Sequence, residues 1–245
     1  MSRPSNDEEV FLSEYDPRQY DRPSTAVDTA IFTIREDQLQ VLLIKREEHP
    51  FLGRWSLVGG YVDMQRDSDL ESTAKRKLLE KTGIATSYLE QVITVGNRER
   101  DPRGWTLSTV YFALLPWKKI QLRAGAGADD VSWVPLNKVS ADDLAFDHWN
   151  LLEQSLERLR SKTLYTTLPV NLMEGEFTLS ELQQTYETIL DKPMQAKSFR
   201  RRIEASGAII ESGNMRATGK RPAQLYLRNE NADTHFFART MESLK

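Results

Sequence analysis

Two lysines beside a glutamate form a pattern that could bind phosphate. Lys77 and Lys81 stand four residues apart, with Glu80 between them, in a segment whose apolar residues recur at helical spacing. Residues four apart share one face of a helix, so the two ammonium groups are expected to lie side by side. Such a pair repels a divalent cation and suits a phosphate or diphosphate. The alternative is that both lysines are charges on a solvated helix face.

The segment that carries these lysines is predicted to be one amphipathic helix. Leu70, Ala74 and Leu78 recur every four residues as its buried stripe, and Gly83 ends it. Upstream, a Gly-Gly pair at residues 59 and 60 predicts a turn that leads into an acidic loop.

Residues 59–84, GGYVDMQRDSDLESTAKRKLLEKTGI, resemble the Nudix box of diphosphate-hydrolysing enzymes. Aligned backwards from Gly83, Arg76 takes the place of the box arginine, Leu78 its apolar position, and Glu80 the first glutamate of its closing pair. Lys77 and Lys81 stand where two metal-binding carboxylates belong, and the loop is two residues longer than usual. Because Mg²⁺ takes hard oxygen ligands, the resemblance implies a retained scaffold with no metal site and no catalytic residues.

A second loop, residues 97–106, carries three arginines. Arg98, Arg100 and Arg103 surround an Asp-Pro pair between two predicted strands. Guanidinium groups bind phosphate bidentately, whereas an ordinary Pro-Arg-Gly turn needs no ligand. The Asp-Pro-Arg-Gly stretch at 101–104 is similar to one in ADP-ribose-type Nudix proteins, which favours ligand contact.

The composition excludes several classes of site. The 245 residues include no cysteine, which rules out disulfides and Cys-ligated zinc. His49, His148 and His235 lie too far apart for metal-ligand spacing, and His148 is predicted to be a packed or capping residue. No apolar run approaches a membrane span and the N-terminus is too polar for a signal peptide, so a cytoplasmic protein is expected.

The net charge of −3 hides a basic C-terminal block. Residues 192–245 hold 11 Lys and Arg against 5 Asp and Glu, a balance of +6. Such a block indicates a polyanionic partner. The alternative is a solvated face.

The pattern along the chain predicts an α/β (α+β) protein of two domains. Strands are predicted at 25–34, 38–45, 89–96, 107–115 and 129–134, and a helix at 145–162. Residues 1–21 are expected to be a polar arm, 22–162 a Nudix-like α/β/α sandwich with a mixed sheet, 163–230 a small second domain, and 231–245 a tail.

The second domain is predicted to be a helix, a turn, a second helix and a hairpin. The helices are expected at 178–190 and 195–206, and two short strands follow around a Gly-rich loop. This order resembles a winged helix-turn-helix, whose second helix enters the major groove of DNA. Three consecutive arginines cannot all face one groove, because successive helical positions turn by about 100°. The resemblance implies DNA contacts by Lys197, Ser198, Arg200, Arg201 and Arg202 of the second helix and by Arg216, Lys220 and Arg221 of the hairpin.

Taken together, the two halves resemble the Nudix-related transcriptional regulators of NAD metabolism, the NrtR type. The resemblance implies a homodimeric repressor of NAD biosynthesis and salvage genes that binds a palindromic operator and needs no cofactor. ADP-ribose or a related NAD derivative would occupy the Nudix pocket as effector. It further implies ligand contacts by Phe51, Trp55, Gly59, Gly60, Arg76, Lys77, Glu80, Lys81, Arg98, Arg100 and Arg103, with Trp55 or Phe51 stacked on the adenine.

Two other functions stay open on the sequence. An ADP-ribose hydrolase with a basic module would need Asp63, Asp67, Asp69 or Glu71 of the extended loop to rebuild a metal site. A protein-binding adaptor would use both halves for partners, with its arginines simply solvated.

Overall fold

A computed structural model describes residues 6–86, 88–117, 128–218 and 221–241. Its strands are β1 Ser24–Arg35, β2 Gln38–Arg46, β3 Trp55–Ser56, β4 Val58–Tyr61, β5 Leu89–Asn97, β6 Thr106–Leu114, β7 Ala128–Pro135, β8 Ile209–Thr218 and β9 Arg221–Arg228. Its helices are α1 Asn6–Glu14, α2 Leu70–Thr82, α3 His148–Tyr165, α4 Leu179–Leu190 and α5 Ala196–Ala205, with 3₁₀ turns at Leu136–Lys138, Ala141–Asp143 and Leu168–Leu172. Within the described ranges, no helix is both long and apolar enough to cross a bilayer.

A mixed sheet forms the centre of the first domain. Its order is β3-β2-β1-β6-β5, with β4 also paired to β1 and β7 to β2. The β1 and β6 strands are parallel and the other pairs antiparallel. Successive residues of β1 point to opposite faces of the sheet. Phe32 packs with α3 on one face, while Ile31 packs with Leu78 of α2 on the other. The predicted helix–sheet–helix sandwich is confirmed.

The second domain is a helix-turn-helix followed by a hairpin, also as predicted. The side chain of Thr178 caps α4, Asp191 ends it in the left-handed region, and Gln195 caps α5. Tyr186 of α4 and Phe199 of α5 meet edge to face at 5.1 Å in the domain core. Antiparallel β8 and β9 pack beside this core as the wing.

The two domains share one hydrophobic cluster. Leu168, Leu172 and Ile189 of the second half belong to the same buried cluster as Leu151 of α3 and Leu43 of β2. Arg160 of α3 also donates to the carbonyl oxygen of Ile189 at 3.0 Å. α4 is therefore packed directly against the first domain.

The predicted Gly-Gly turn is wrong, because both glycines lie inside a strand. Gly59 and Gly60 belong to β4 and pair with Asp28 and Val27 of β1. A Cβ on Gly59 would lie 2.3 Å from the carbonyl oxygen of Val27 and 2.4 Å from the Asp28 carboxylate. The glycine is thus needed for close approach of two strands, which a Gly-Gly pair in the sequence does not distinguish from a turn.

Other boundaries also differ from prediction. The helix predicted at 145–162 begins at His148, because Phe146 has a positive φ of 56° that is incompatible with a helix, and it continues to Tyr165. The polar arm contains helix α1, which was not predicted. Arg216 lies on β8 rather than in the hairpin loop, while Lys220 falls outside the described residues.

The acidic loop before α2 is tied to the helix by one ion pair. Arg76 donates to both carboxylate oxygens of Asp67, at 2.6 and 2.5 Å, and Thr73 donates to the same carboxylate at 2.8 Å. The Asp67 side chain is 1% exposed. These hydrogen bonds, led by that from Arg76, hold the pKa of Asp67 well below its usual range.

We expect Asp67→Asn to lower the free energy of unfolding by about 2 kcal/mol, since hydrogen bonds to a charged group are worth about 1.5–3 kcal/mol. A depressed carboxyl pKa stabilises the fold above the pKa of the unfolded state, about 3.9, and that stabilisation is lost on acidification. The difference between the two proteins in urea denaturation should therefore shrink below about pH 4. Glu71→Gln is the control, because its pair with Lys75 is half-exposed; equal losses in both variants would contradict the prediction.

Candidate ligand cavity and nucleic-acid interface

A cavity of about 390 Å³ opens where β1, β4, α2, the 98–105 loop and the start of α3 meet. Five cationic side chains and three acidic ones line it. The cations are Arg46, Lys77, Lys81, Arg100 and Arg103, and the acids are Asp28, Glu48 and Asp101. This excess of positive charge suits an anionic ligand.

Lys77 and Lys81 of α2 are the cavity cations least engaged by the described part of the protein. Lys77 lies against Gly60, where an added Cβ would be 3.0 Å from its Cε, and its Nζ is 3.8 Å from Glu80. Lys81 makes no hydrogen bond or ion pair with the part of the chain that the structure describes. Its burial, with Lys77 and Arg46 nearby, lowers the pKa of Lys81 to about 8. An anion entering the cavity would relieve this repulsion.

The floor of the cavity is a buried polar network around Asp28. Its carboxylate accepts hydrogen bonds from Ser108 at 2.7 Å and Arg100 at 3.4 Å, and His148 Nε2 lies 3.5 Å away. The main-chain N–H of Leu57 donates to His148 Nδ1 at 3.0 Å, so the imidazole proton sits on Nε2. Burial lowers the pKa of His148 and keeps the ring neutral.

Arginines and aromatic rings form the opposite wall. Arg100 is also bound bidentately by Asp147 just before α3, whereas Arg103 is bound by Asp101 and lies over Tyr61. The guanidinium carbon of Arg46 lies 4.8 Å from the centroid of the Phe146 ring, and the Phe51 ring meets the Phe146 ring edge to face. The strained backbone of Phe146 is the kind of feature that clusters at ligand sites.

The structure brings six of the predicted ligand residues together and leaves five outside the cavity lining. Gly59, Gly60, Lys77, Lys81, Arg100 and Arg103 line it. Arg76 and Glu80 pair with each other beside it, and Glu80 also binds Arg66. Trp55 packs against the sheet core, Phe51 meets Phe146 edge to face, and Arg98 is exposed in its loop.

The cavity residues that were missed from the sequence include Asp28, Arg46, Tyr61, Phe146 and His148. Asp28 carried a usable signal, since a carboxylate inside the strand TAVDTAIFTI interrupts an otherwise buried run. Arg46 and Tyr61 end strands β2 and β4, whereas Phe146 and His148 lie at the start of α3, and only the fold shows that they meet.

No group of three or more His, Asp or Glu side chains able to hold a metal ion is found among the described residues. The acids of the extended loop have other partners: Asp67 binds Arg76, Asp69 caps α2, and Glu71 pairs with Lys75. Among the described residues, the cavity thus combines five cations with three acids and holds no acid cluster suited to Mg²⁺.

The basic surface of the second domain is concentrated on α5. Lys197 and Arg201 are exposed and have no partner in the described chain, while Arg200 pairs with Glu204 at 3.0 Å. Ser198 is buried at the start of the helix. Arg202 turns away from this face and donates to main-chain carbonyls of residues 239 and 240.

Of the three cations predicted to act in the wing, only the side chain of Arg216 is described, and it is paired within the protein. Arg216 is held by Glu181 of α4 at 2.7 Å and by the Glu176 carbonyl oxygen at 3.0 Å. Arg221 begins β9. Among the side chains that the structure describes, the exposed and unpaired cations of this domain that could meet a phosphate backbone include Lys197 and Arg201 of α5.

Two family models together match most of the chain. The NUDIX domain matches residues 24–155, and the NrtR DNA-binding winged helix domain matches residues 169–227. The ADPR responsive transcriptional repressor NtrR of Acinetobacter baylyi is 48% identical over 219 residues, which cover 89% of this chain and 87% of the repressor.

Solved structures agree with this match. NrtR of Shewanella oneidensis complexed with a 27mer DNA has a TM-score of 0.82 at 44% identity, covering 89% of this chain and 99% of that one. The NUDIX domain of the same protein complexed with ADP ribose has a TM-score of 0.59 at 44% identity, covering 62% of this chain and 98% of that one. The present chain, with its cationic cavity and its basic winged helix, belongs to the NrtR family of Nudix-domain transcriptional regulators.

Proposed function

We propose that this protein is a transcriptional repressor that binds an operator through its winged helix and releases it when ADP-ribose fills the Nudix cavity. The observation that carries the proposal is the pair Lys77 and Lys81, which leaves cationic charge uncompensated inside the cavity. The A. baylyi relative is named as ADPR responsive, and both complexes of the S. oneidensis relative support the same two ligands.

In the proposed complex, the lysines of α2 bind the diphosphate. Arg103 is 46% exposed at the cavity wall and can add a bidentate contact. Phe146 offers the aromatic surface for the adenine, a role that the sequence favoured for Trp55 or Phe51. Asp28 and His148 present an acceptor and a neutral ring deeper in the cavity, where ribose hydroxyls can hydrogen-bond.

On the DNA side, Lys197, Arg200 and Arg201 form the face that enters the major groove or meets its phosphates. We further propose a homodimer on a palindromic operator of NAD biosynthesis and salvage genes in the cytoplasm. The two-fold symmetry of such operators mirrors that of the protein.

Helix α3 supplies the coupling between the two sites. It begins at the cavity with His148, and its second half packs on α4 through Leu159 and Arg160. If ADP-ribose prefers an arrangement of protomers in which the two α5 helices no longer fit successive grooves, it must weaken DNA binding by that same preference. A coupling of about 1–3 kcal/mol changes operator affinity roughly 5- to 150-fold.

The double variant Lys77→Ala, Lys81→Ala tests the ligand half of the proposal. Each lost charge-assisted hydrogen bond is worth about 1.5–3 kcal/mol, so ADP-ribose affinity measured by calorimetry should fall about 100-fold. A duplex selected from a random-sequence library with the unmodified protein should still bind the variant, but ADP-ribose should no longer release it.

Lys75→Ala is the matched control, because Lys75 lies on the same helix outside the cavity and pairs with Glu71. Unchanged ADP-ribose affinity in the double variant would show that the lysines do not hold the ligand. Failure of ADP-ribose to displace the duplex from the unmodified protein would overturn the proposed function itself.

We expect Lys81→Met to stabilise the free protein. The pKa of Lys81, lowered to about 8, means that folding penalises its charged form. A shift of this size corresponds to at most about 3 kcal/mol, and partial exposure reduces the expected gain to about 1–2 kcal/mol. The gain should be full below pH 8 and shrink as the folded-state amine loses its proton. Thermal unfolding of Lys81→Met beside Lys75→Met measures it, and a loss of stability at pH 7 would contradict it.

We further propose that the protein does not hydrolyse ADP-ribose. Incubation with Mg²⁺ and ADP-ribose should release no AMP at an ordinary enzymatic rate. Lys77→Glu with Lys81→Glu restores the box carboxylates and should introduce Mg²⁺ binding, measurable by calorimetry. AMP release by the unmodified protein would favour the hydrolase, and absence of Mg²⁺ binding by the variant would show that the two lysines are not the only obstacle.

A further inference from the structure

The C-terminal segment 235–241, here called the strap, is bound along the end of α3. The N–H groups of Phe237 and Met241 donate to the carbonyl oxygens of Tyr165 and Leu164, at 2.7 and 2.6 Å. These carbonyls belong to the last turn of the helix, whose C=O groups have no partner within the helix. The strap therefore satisfies acceptors that would otherwise be left to water.

The strap is also part of the winged helix core. Met241 is 4% exposed and belongs to the cluster that contains Phe199 and Ile203 of α5, and Phe237 packs against the same cluster. Upstream, the main-chain N–H of Thr167 donates to the carbonyl oxygen of His235 at 3.0 Å. One short segment thus touches both α3 and the inner face of α5.

Arg202 joins the strap to the outer flank of α5. One of its terminal nitrogens, Nη1, donates to the carbonyl oxygens of Arg239 and Thr240, at 3.0 and 2.8 Å. The same nitrogen lies 3.6 Å from the Met241 sulfur. Its neighbour Arg201 is exposed and has no partner in the described chain. Of these two adjacent arginines, Arg202 is therefore hydrogen-bonded within the protein, whereas Arg201 is available to an outside partner.

We propose that the strap fixes α5 against the end of α3, and that Arg202 is the positioning residue through which it does so rather than a contact to DNA. The effect of the strap and Arg202 on DNA binding rests on the proposed function. Since α3 begins at the ligand cavity, the strap couples the orientation of α5 to the helix that extends from the cavity to the winged helix domain.

The geometry separates this role from a phosphate contact. A guanidinium that donates to two carbonyls of its own chain would have to give up both hydrogen bonds to reach DNA. Lys197 and Arg201 carry no such commitment on the exposed face. An arginine that contacts phosphate also contributes to the salt dependence of binding, whereas a positioning residue does not.

The test compares Arg202→Ala with Arg201→Ala, using a duplex selected from a random-sequence library with the full-length protein. Arg202→Ala should weaken binding about tenfold while leaving the slope of log K against log salt concentration unchanged. Arg201→Ala should lower that slope by about 0.9, the value of one phosphate contact. Arg202→Lys should recover most of the lost affinity, because an ammonium can donate to the same carbonyls.

A second measurement needs no DNA. Amide hydrogen exchange of the free protein should speed up over residues 196–205 and at the end of α3 in Arg202→Ala. A chain ending at Thr234 should show the same change, and combining both changes should add little beyond the truncation alone. ADP-ribose binding by calorimetry should persist in Arg202→Ala, which shows that the first domain remains folded.

A slope reduced in Arg202→Ala as much as in Arg201→Ala would identify Arg202 as a phosphate contact and overturn the proposal. Unchanged hydrogen exchange in residues 196–205 would overturn it as well. If the unmodified protein selects no duplex, the proposed function fails, while faster exchange in Arg202→Ala would still support the strap.

Discussion

One buried carboxylate aligns the elements on which the first domain depends. Asp28 lies inside the sheet, where an uncompensated charge would be costly, and it is compensated by Ser108 of β6, Arg100 of the neighbouring loop and His148 of α3. His148 then accepts the N–H of Leu57, which fixes the approach to β4. A displacement of any of these elements would leave a charged or polar group without its partner. The cavity is therefore formed by the same bonds that hold the sheet and α3 together.

The positive charge of the cavity lowers the stability of the empty protein, and the same charge suits the cavity to an anionic ligand. Lys81 is half-buried beside Lys77 and Arg46, and its lowered pKa records the free-energy cost of that position. Carboxylates at these positions would need Mg²⁺ to bind a diphosphate, whereas amines attract a diphosphate directly. In the proposed complex, the ligand supplies negative charge beside Lys77 and Lys81. Side chains that increase affinity for an anion thus lower the stability of the empty protein by a modest amount.

Local patterns predicted much of this structure, and long-range contacts did not. The stripe through Ala74 and Leu78 and the stop at Gly83 identify α2 because they depend on neighbours within a few residues. Phe146, by contrast, reaches the cavity because a positive φ turns the chain just before α3. Arg202 is indistinguishable from Arg201 in the sequence, since its acceptors lie 37 and 38 residues away. The predicted ligand residues that line the cavity occur in recognisable motifs, whereas Phe146 reaches the cavity only through the fold.

The hydrophobic cluster shared by the two domains limits how a signal can travel. Ile189 and Leu172 are buried among side chains of α3 and β2, so the two domains are packed together rather than joined by a flexible linker. Swinging the winged helix on a hinge would expose this apolar surface to water at about 25 cal/mol for every square ångström. The two domains are therefore better suited to move together as one rigid body. In the proposed homodimer, a small rotation of one such body about the other would displace both α5 helices.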